Sequence, residues 1–354
     1  MTDPTLSLGD HLRLMMPALL VRALPRRRRA RQVMLRLQAG RLRNLDRATG
    51  TNPFDDGDPL FRAVDHMMQD AGDLSRLTWL ARRAEPFAAR VWRALCLWQE
   101  GAIDQSKAAL KRLSEDPQYT GYARRAAEAW AMYLELPRFQ PGPAATAKIL
   151  QFWDQPDPPA DVAFEIAGWR GMAEHTLLDK AQARAFLATE IGTREADLLD
   201  RCPHPAVQSD FVRLAWLMVH GGTYVDADAR ARPSAADTIA GMSGQTVLWC
   251  RTRSAEMIVI NGLLASPPGG AFVTAAFAEA CRRLSSGKEM HVFDYAGPTL
   301  CTQIALALHA EGRLDAVTVS DRSVATEILG QFDASYKRDH RNWRTWARET
   351  GHGL

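Results

Sequence analysis

The sequence predicts an α/β domain preceded by an all-helical region, on three observations. From about residue 148 onward, short apolar strand segments alternate with helical ones, the grammar of a sheet covered by helices. Before about residue 140, apolar residues recur only at helical spacing. Between the two lies "PRFQPGPAATAK" (137–148), whose proline and glycine content marks a boundary. A helical accessory domain over 1–140 and an α/β domain over 146–354 follow.

The 354 residues, 46% hydrophobic and 24% charged, suffice for a globular protein with a proper core. The net charge of +3 is unevenly spread: residues 1–50 hold 11 Arg against 3 Asp, so the remainder is net acidic. "HLRLMMPALLVRALPRRRRARQ" places its short apolar run before its arginines, the wrong order for a signal peptide, and the run is too short to span a bilayer. The expectation is a cytoplasmic protein whose Arg26 to Arg29 face solvent or, on the sharper reading, peripherally contact an anionic inner membrane face. Without interleaved aromatics or a binding module, this basic stretch does not predict nucleic-acid binding. Cys96, Cys202, Cys250, Cys281 and Cys301 form no CxxC and sit among apolar residues. Buried free thiols are expected, and neither a disulfide framework nor a zinc site.

In the first part, "FAARVWRALCLWQEGAIDQSKAALKRLSEDP" (87–117) places Val91, Leu95 and Trp98, then Ala109, Leu110 and Leu113, at helical spacing. Gly101 breaks the run and Pro117 closes it, which predicts a hairpin resembling a tetratricopeptide unit. "YARRAAEAWAMYLEL" (122–136) predicts a third helix. In the second part, strands are expected at 148–153, 223–227, 246–250, 257–260 and 316–320, and helices at 179–188, 210–220, 271–284 and 299–311.

The stretch "SDFVRLAWLMVHGGTYVDADAR" (209–230) carries the chemistry. Ser209 is expected to cap a helix starting at Asp210. Phe211, Leu214, Ala215 and Met218 form its buried stripe, and Asp210 and Arg213 share a face away from the core. Gly221 and Gly222 end the helix. The chain then extends, so that Asp226 and Asp228, two apart, point to one side. Paired carboxylates favour a shared hard cation such as Mg²⁺ or Mn²⁺, with a phosphate or diphosphate at its open positions. Open α/β sheets place ligands at such strand ends.

Together, S-D-x-x-R and G-G-x-Y-x-D-x-D resemble glycosyltransferase family 32, the group with a sugar-binding region containing a DXD motif, which includes capsular-polysaccharide synthesis enzymes. The resemblance extends over about 146–346, through "KILQFWDQPDPPADVAFEIAGWR" (148–170), "INGLLASPPG" (260–269), "YAGP" (295–298) and "HRNWRTW" (340–346). Leu150 stands where the family has His, Gly168 and Thr345 where it has Ser, and Ala296 where it has Thr.

The resemblance implies a GT-A-type fold with a mixed, mainly parallel sheet between helices, and a nucleotide-sugar-dependent hexosyltransferase that retains configuration. Asp228 would hold the divalent metal, Mn²⁺ or Mg²⁺, with Asp226 supporting it and contacting donor hydroxyls. Asp210 and Arg213 would hold the donor sugar, with Ser209, Gly222 and Tyr224 lining its pocket. Trp153 would stack on the base, His340 and Trp346 would close over the diphosphate, and Asn261 would face the reacting sugar. The acceptor would be a glycan or lipid-linked. The alternative is a non-catalytic nucleotide-sugar-binding or scaffold protein whose helical domain docks partners. Phosphoryl transfer is disfavoured, because the chain lacks a G-x-x-x-x-G-K loop.

Overall fold

A computed structural model of the chain describes residues 101–119, 121–140, 147–252, 257–330, 332–338 and 341–350, together with 90, 91, 94, 95, 97 and 98. The expectations for the arginine-rich start, Cys96 and His340 lie outside the described residues, as does most of the predicted first hairpin helix. The chain divides into two compact units at residue 131, with 252–257 grouped with the first. Helix α1 (Ile103–Glu115) buries Ser106, Leu110 and Leu113. In α2 (Gly121–Glu135), Ala126, Ala127, Ala129 and Trp130 are buried.

The second unit is a six-stranded sheet flanked by helices. Its strands are β1 (Lys148–Phe152), β2 (Glu174–Leu178), β3 (Gly222–Val225), β5 (Val247–Cys250), β6 (Val259–Ser266) and β7 (Val317–Ser320), in the order β2-β1-β3-β6-β5-β7. Only β6 runs against the others, which makes the sheet mixed and mainly parallel. A separate ribbon pairs β4 (Arg230–Ala231) with β8 (Leu329–Gly330).

The helices are α3 (Ala160–Arg170), α4 (Lys180–Glu190), α5 (Thr193–Asp200), α6 (Pro205–His220), α7 (Ala235–Gly241), α8 (Ala271–Ser285), α9 (Val292–Tyr295), α10 (Pro298–Ala310) and α11 (Trp343–Thr350). Alternation along the strands divides the apolar residues between two faces. Ile149, Val225, Val247, Leu263, Ala265 and Val319 form one core layer with Trp169, Ile239 and Met242 of the covering segments. The opposite face is covered by α6 over β1, β3 and β6, and by α10 over β6. Residues 137–139 pair with the β7 edge through Phe139 N–H to Thr318 O and Thr318 N–H to Pro137 O, both 2.8 Å, which satisfies backbone groups an open edge would expose. No described helix is long and apolar enough to cross a membrane.

Two expectations change here. Helix α6 begins at Pro205 and not at Asp210, because His204 Nδ1 caps Ala206 N–H at 3.1 Å and proline at the first helical position presets the backbone. Strand β6 continues to Ser266, since β3 and β5 both pair with it. Strand β2 went unforeseen because it is a half-exposed edge strand with the mixed sequence EHTLL. Cys202, Cys250, Cys281 and Cys301 are buried free thiols, as expected.

The α6-to-β3 corner needs both its glycines. Gly221 has φ +66° and Gly222 φ +97°, and a Cβ at Gly221 would meet Pro268 Cδ at 2.5 Å. Gly221→Ala is expected to destabilise the protein by at least about 2 kcal/mol, from backbone strain plus this clash. Urea unfolding checks it, with an unchanged midpoint as the contrary result.

Candidate active site

The site forms where α6, β3 and β6 meet. Ser209, Asp210 and Arg213 lie inside α6, one turn or more past its cap, so Ser209 is not a helix cap. The expected outward face of the helix is buried: Asp210 is 7% and Arg213 3% exposed. They are inside because the guanidinium finds a full set of acceptors. Its Nε donates to Ser209 O at 3.2 Å, Nη1 donates to Asn261 O, and Nη2 lies 2.8 Å from Ser209 Oγ, 3.0 Å from Asp210 Oδ1 and 3.1 Å from Asp226 Oδ1. Its plane also lies over the Tyr224 ring, 4.0 Å from the centroid.

The remaining hydroxyls order themselves from this. Tyr224 Oη donates to Asp226 Oδ1 at 3.1 Å, so Ser209 Oγ, 2.7 Å away, donates to Tyr224 Oη while accepting from Arg213. Asn261 Nδ2 donates to Asp210 Oδ1 at 2.9 Å from its seat on β6. Glycines at 262 and 297 make room for the carboxylates. A side chain at Gly262 would run into Asp226 Oδ2, and one at Gly297 would meet Asp210 Oδ2 at 2.7 Å. The glycine of the "YAGP" segment is thereby explained.

Beyond β3 the chain turns at once, with Ala229 N–H donating to Asp226 O at 3.0 Å. Asp226 and Asp228 therefore sit on a turn and not on the extended segment expected. Four further contacts hold its backbone. Asp226 N–H donates to Gly262 O (2.9 Å), Gln151 Nε2 to Asp226 O (3.2 Å) and Trp169 Nε1 to Ala229 O (2.7 Å), and Arg230 pairs with the buried Glu165 at 2.5 Å. His175 Nε2 donates to Gln151 Oε1 at 2.8 Å, which orients that amide. Burial, reinforced by Arg170, pushes His175 down to about 4, so the ring is neutral near pH 7.

The two aspartates look different ways. Asp226 Oδ1 belongs to Arg213 and Tyr224, while Oδ2 accepts no hydrogen bond from the described residues and the side chain keeps 41% exposure. Asp228 is 17% exposed and its Oδ2 takes the Tyr336 hydroxyl at 2.8 Å and the Lys337 ammonium at 2.5 Å. Burial raises the Asp226 carboxyl, with Arg213 opposing and Asp228 reinforcing the shift. Burial works against charge on Arg213, but Tyr224, Asp210 and Asp226 outweigh it, and the guanidinium is held more firmly charged. Asp226 Oδ2 and Asp228 Oδ1 are the free oxygens of the motif, of the hard type that suits Mg²⁺ or Mn²⁺. Among the described residues no group of three His, Cys, Asp or Glu gathers around a common point.

Trp153, at the carboxyl end of β1, packs beside Ala227 and meets Tyr336 edge to face at 5.1 Å, its Nε1 buried without a partner. Trp346 instead packs against His204 at the start of α6, with centroids 4.9 Å apart. Gly222 lies at the far end of β3 from the aspartates, against Lys148, and is not brought to them. The sequence reading missed Tyr336 and Lys337, which look like part of a solvated charged run, and also Gln151, Glu165 and Trp169. Of these, Gln151, Glu165 and Trp169 had a signal, as they lie within the 148–170 segment that carries the resemblance.

With this geometry in place, part of the chain is found to be similar to a known family. Residues 163–242, which contain Asp210, Arg213, Tyr224, Asp226 and Asp228, match the family described as glycosyltransferase sugar-binding region containing DXD motif. That match bears out the resemblance read from the sequence. Among solved structures the chain is similar to the PaToxG glycosyltransferase, at 14% identity over 70% of this chain and 97% of that one. The TM-score of 0.34 is too low for that likeness to carry an argument. No curated protein matches the chain.

Asp210 offers a test of the buried network. Burial lifts its carboxyl from 3.8 to about 6, opposed by Arg213 and reinforced by Asp226. Because the folded value lies above the unfolded one, keeping the group ionised costs stability as pH rises from about 4 to 6, and the full cost remains above 6. The stability of Asp210→Asn relative to the wild type is therefore expected to rise as pH increases from about 4 to 6 and to level off above that. Paired melting curves across that range check it, and a difference independent of pH would contradict the assignment.

Proposed function

We propose that this chain is a metal-dependent glycosyltransferase of GT-A type, moving a hexose from a nucleotide sugar to a glycan or lipid-linked acceptor with retention of configuration. The observation that carries the reading is the Arg213-centred network. It fixes Asp226 Oδ1 inward and leaves Asp226 Oδ2 free beside Asp228, at the carboxyl ends of β1 and β3 and inside the matched region. The junction between β1 and β3 is where the strand order reverses, the usual ligand position in such sheets.

Asp228 and Asp226 would hold the metal. When bound, the ion supplies Lewis-acid neutralisation of the departing diphosphate. The chain's own residues do the rest. Asp210, ionised above about pH 6, accepts hydrogen bonds from donor sugar hydroxyls with Oδ2 while Asn261 and Arg213 hold Oδ1. Arg213 itself, with its N–H groups committed to protein acceptors, positions the two carboxylates. Tyr224 keeps Asp226 in register. Trp153 offers a flat face and an unpartnered N–H to the nucleobase. Preorganisation of this kind removes the reorganisation a solvated site would need. The arginine-rich start would attach the protein peripherally to an anionic inner membrane face from the cytoplasm.

Calorimetric titration of UDP and GDP, with and without Mn²⁺, into the wild type and Asp228→Ala tests the reading. The expected result is metal-dependent binding of one nucleotide, weakened about a hundredfold or more by the substitution. Failure of both nucleotides to bind under every condition would favour a non-catalytic scaffold. Deleting residues 1–30 is expected to weaken binding to anionic vesicles while sparing nucleotide binding, and equal vesicle binding by both forms would remove the membrane role.

A further inference from the structure

The carboxylate assigned to the metal already has a cation against it. Lys337 Nζ lies 2.5 Å from Asp228 Oδ2, and Tyr336 Oη donates to the same oxygen at 2.8 Å. Both residues belong to a single 3₁₀ turn, Ser335–Arg338, with no buried residue of its own. Tyr336 also sets its ring against Trp153, at the place proposed above for the nucleobase. The turn is tied down by the neighbouring buried Ala334 and by Asp161, whose carboxylate accepts from Ser335 N–H at 2.6 Å and Ser335 Oγ at 2.9 Å. One short segment thus presents an aromatic ring to the base platform and a positive charge to the metal carboxylate, in the two places where the donor complex would put the same chemistry.

We propose that Ser335–Arg338 is a self-inhibitory strap, in which Lys337 and a divalent cation compete for Asp228 and Tyr336 and the nucleobase compete for Trp153. The proposal rests on the metal-binding role given to Asp228 above. Two cations on one carboxylate repel each other, so Lys337 held at Oδ2 weakens the hold of Asp228 on a cation at Oδ1. Contacts made by the strap in the empty site have to be broken by the donor complex, and apparent affinity falls by the fraction of molecules in which the strap is closed. The anchoring contacts at Asp161 are exposed, single-residue hydrogen bonds, of the strength that permits opening.

The test is a Mn²⁺ titration of the full-length protein without nucleotide, followed by the electron paramagnetic resonance signal of free Mn²⁺. Lys337→Met is expected to bind Mn²⁺ about tenfold more tightly than the wild type, because the competitor is gone. Asp161→Ala, which loosens the strap without touching Asp228, is expected to shift affinity in the same direction, and Asp228→Asn to abolish binding in either background. Equal affinities for the wild type and Lys337→Met, with Asp228→Asn still abolishing binding, would overturn the strap and leave the metal role intact. Absence of Mn²⁺ binding in every variant, with UDP or GDP also present, would overturn both.

Discussion

The buried guanidinium of Arg213 is the constraint on which the site depends. A cation only 3% exposed is tolerable when countercharge and hydrogen-bond acceptors surround it, since an unpaired one costs several kcal/mol. Here the acceptors come from three elements: Ser209 and Asp210 from α6, Asp226 from the end of β3, and the Asn261 carbonyl from β6. These elements are distant in sequence, and one side chain joins them. Satisfying Arg213 also decides how each carboxylate is turned, because it takes Oδ1 from both Asp210 and Asp226.

Two aspartates one residue apart would repel if they faced one uncompensated space. The turn after β3 separates their roles. Asp226 is drawn inward to Arg213, and Asp228 is held from the C-terminal side by Tyr336 and Lys337. Gln151 holds the backbone at Asp226, Trp169 holds it at Ala229, and the Glu165–Arg230 pair anchors the chain just beyond.

The sheet order explains why this happens at that end of the molecule. Strands β1 and β3 are parallel neighbours whose connections leave in opposite directions, which opens a crevice beyond their carboxyl ends. Trp153 follows one strand and Asp226 the other. Gly262 and Gly297 keep side chains out of the space the two carboxylates occupy, so the crevice is cleared as well as lined.

Much of this was legible in the sequence. Strands at 148–152, 222–225, 247–250 and 317–320 fall where runs of apolar residues place them; the first three are central in the sheet, and a central strand buried on both faces leaves a continuous apolar signature. The grouping of Asp210, Arg213, Tyr224 and Asp226 was implied by the family resemblance, whose motif holds all four close together in the chain. What the sequence misread was decided by distant partners. Asp210 and Arg213 read as an outward face because charged residues usually are, and they are buried because Asn261, 48 residues beyond Arg213, supplies acceptor and donor. Ser209 read as a cap until His204 and Pro205 took that place. Lys337 read as one more charge in a solvated run, and only folding set it 109 positions away from its number on Asp228. The sequence by itself determined the periodicities, the turn glycines and the carboxylate motif, all governed by neighbours within a few residues. Only tertiary structure decided which charge meets which, because countercharge is chosen by proximity in space and a one-dimensional pattern does not contain that distance.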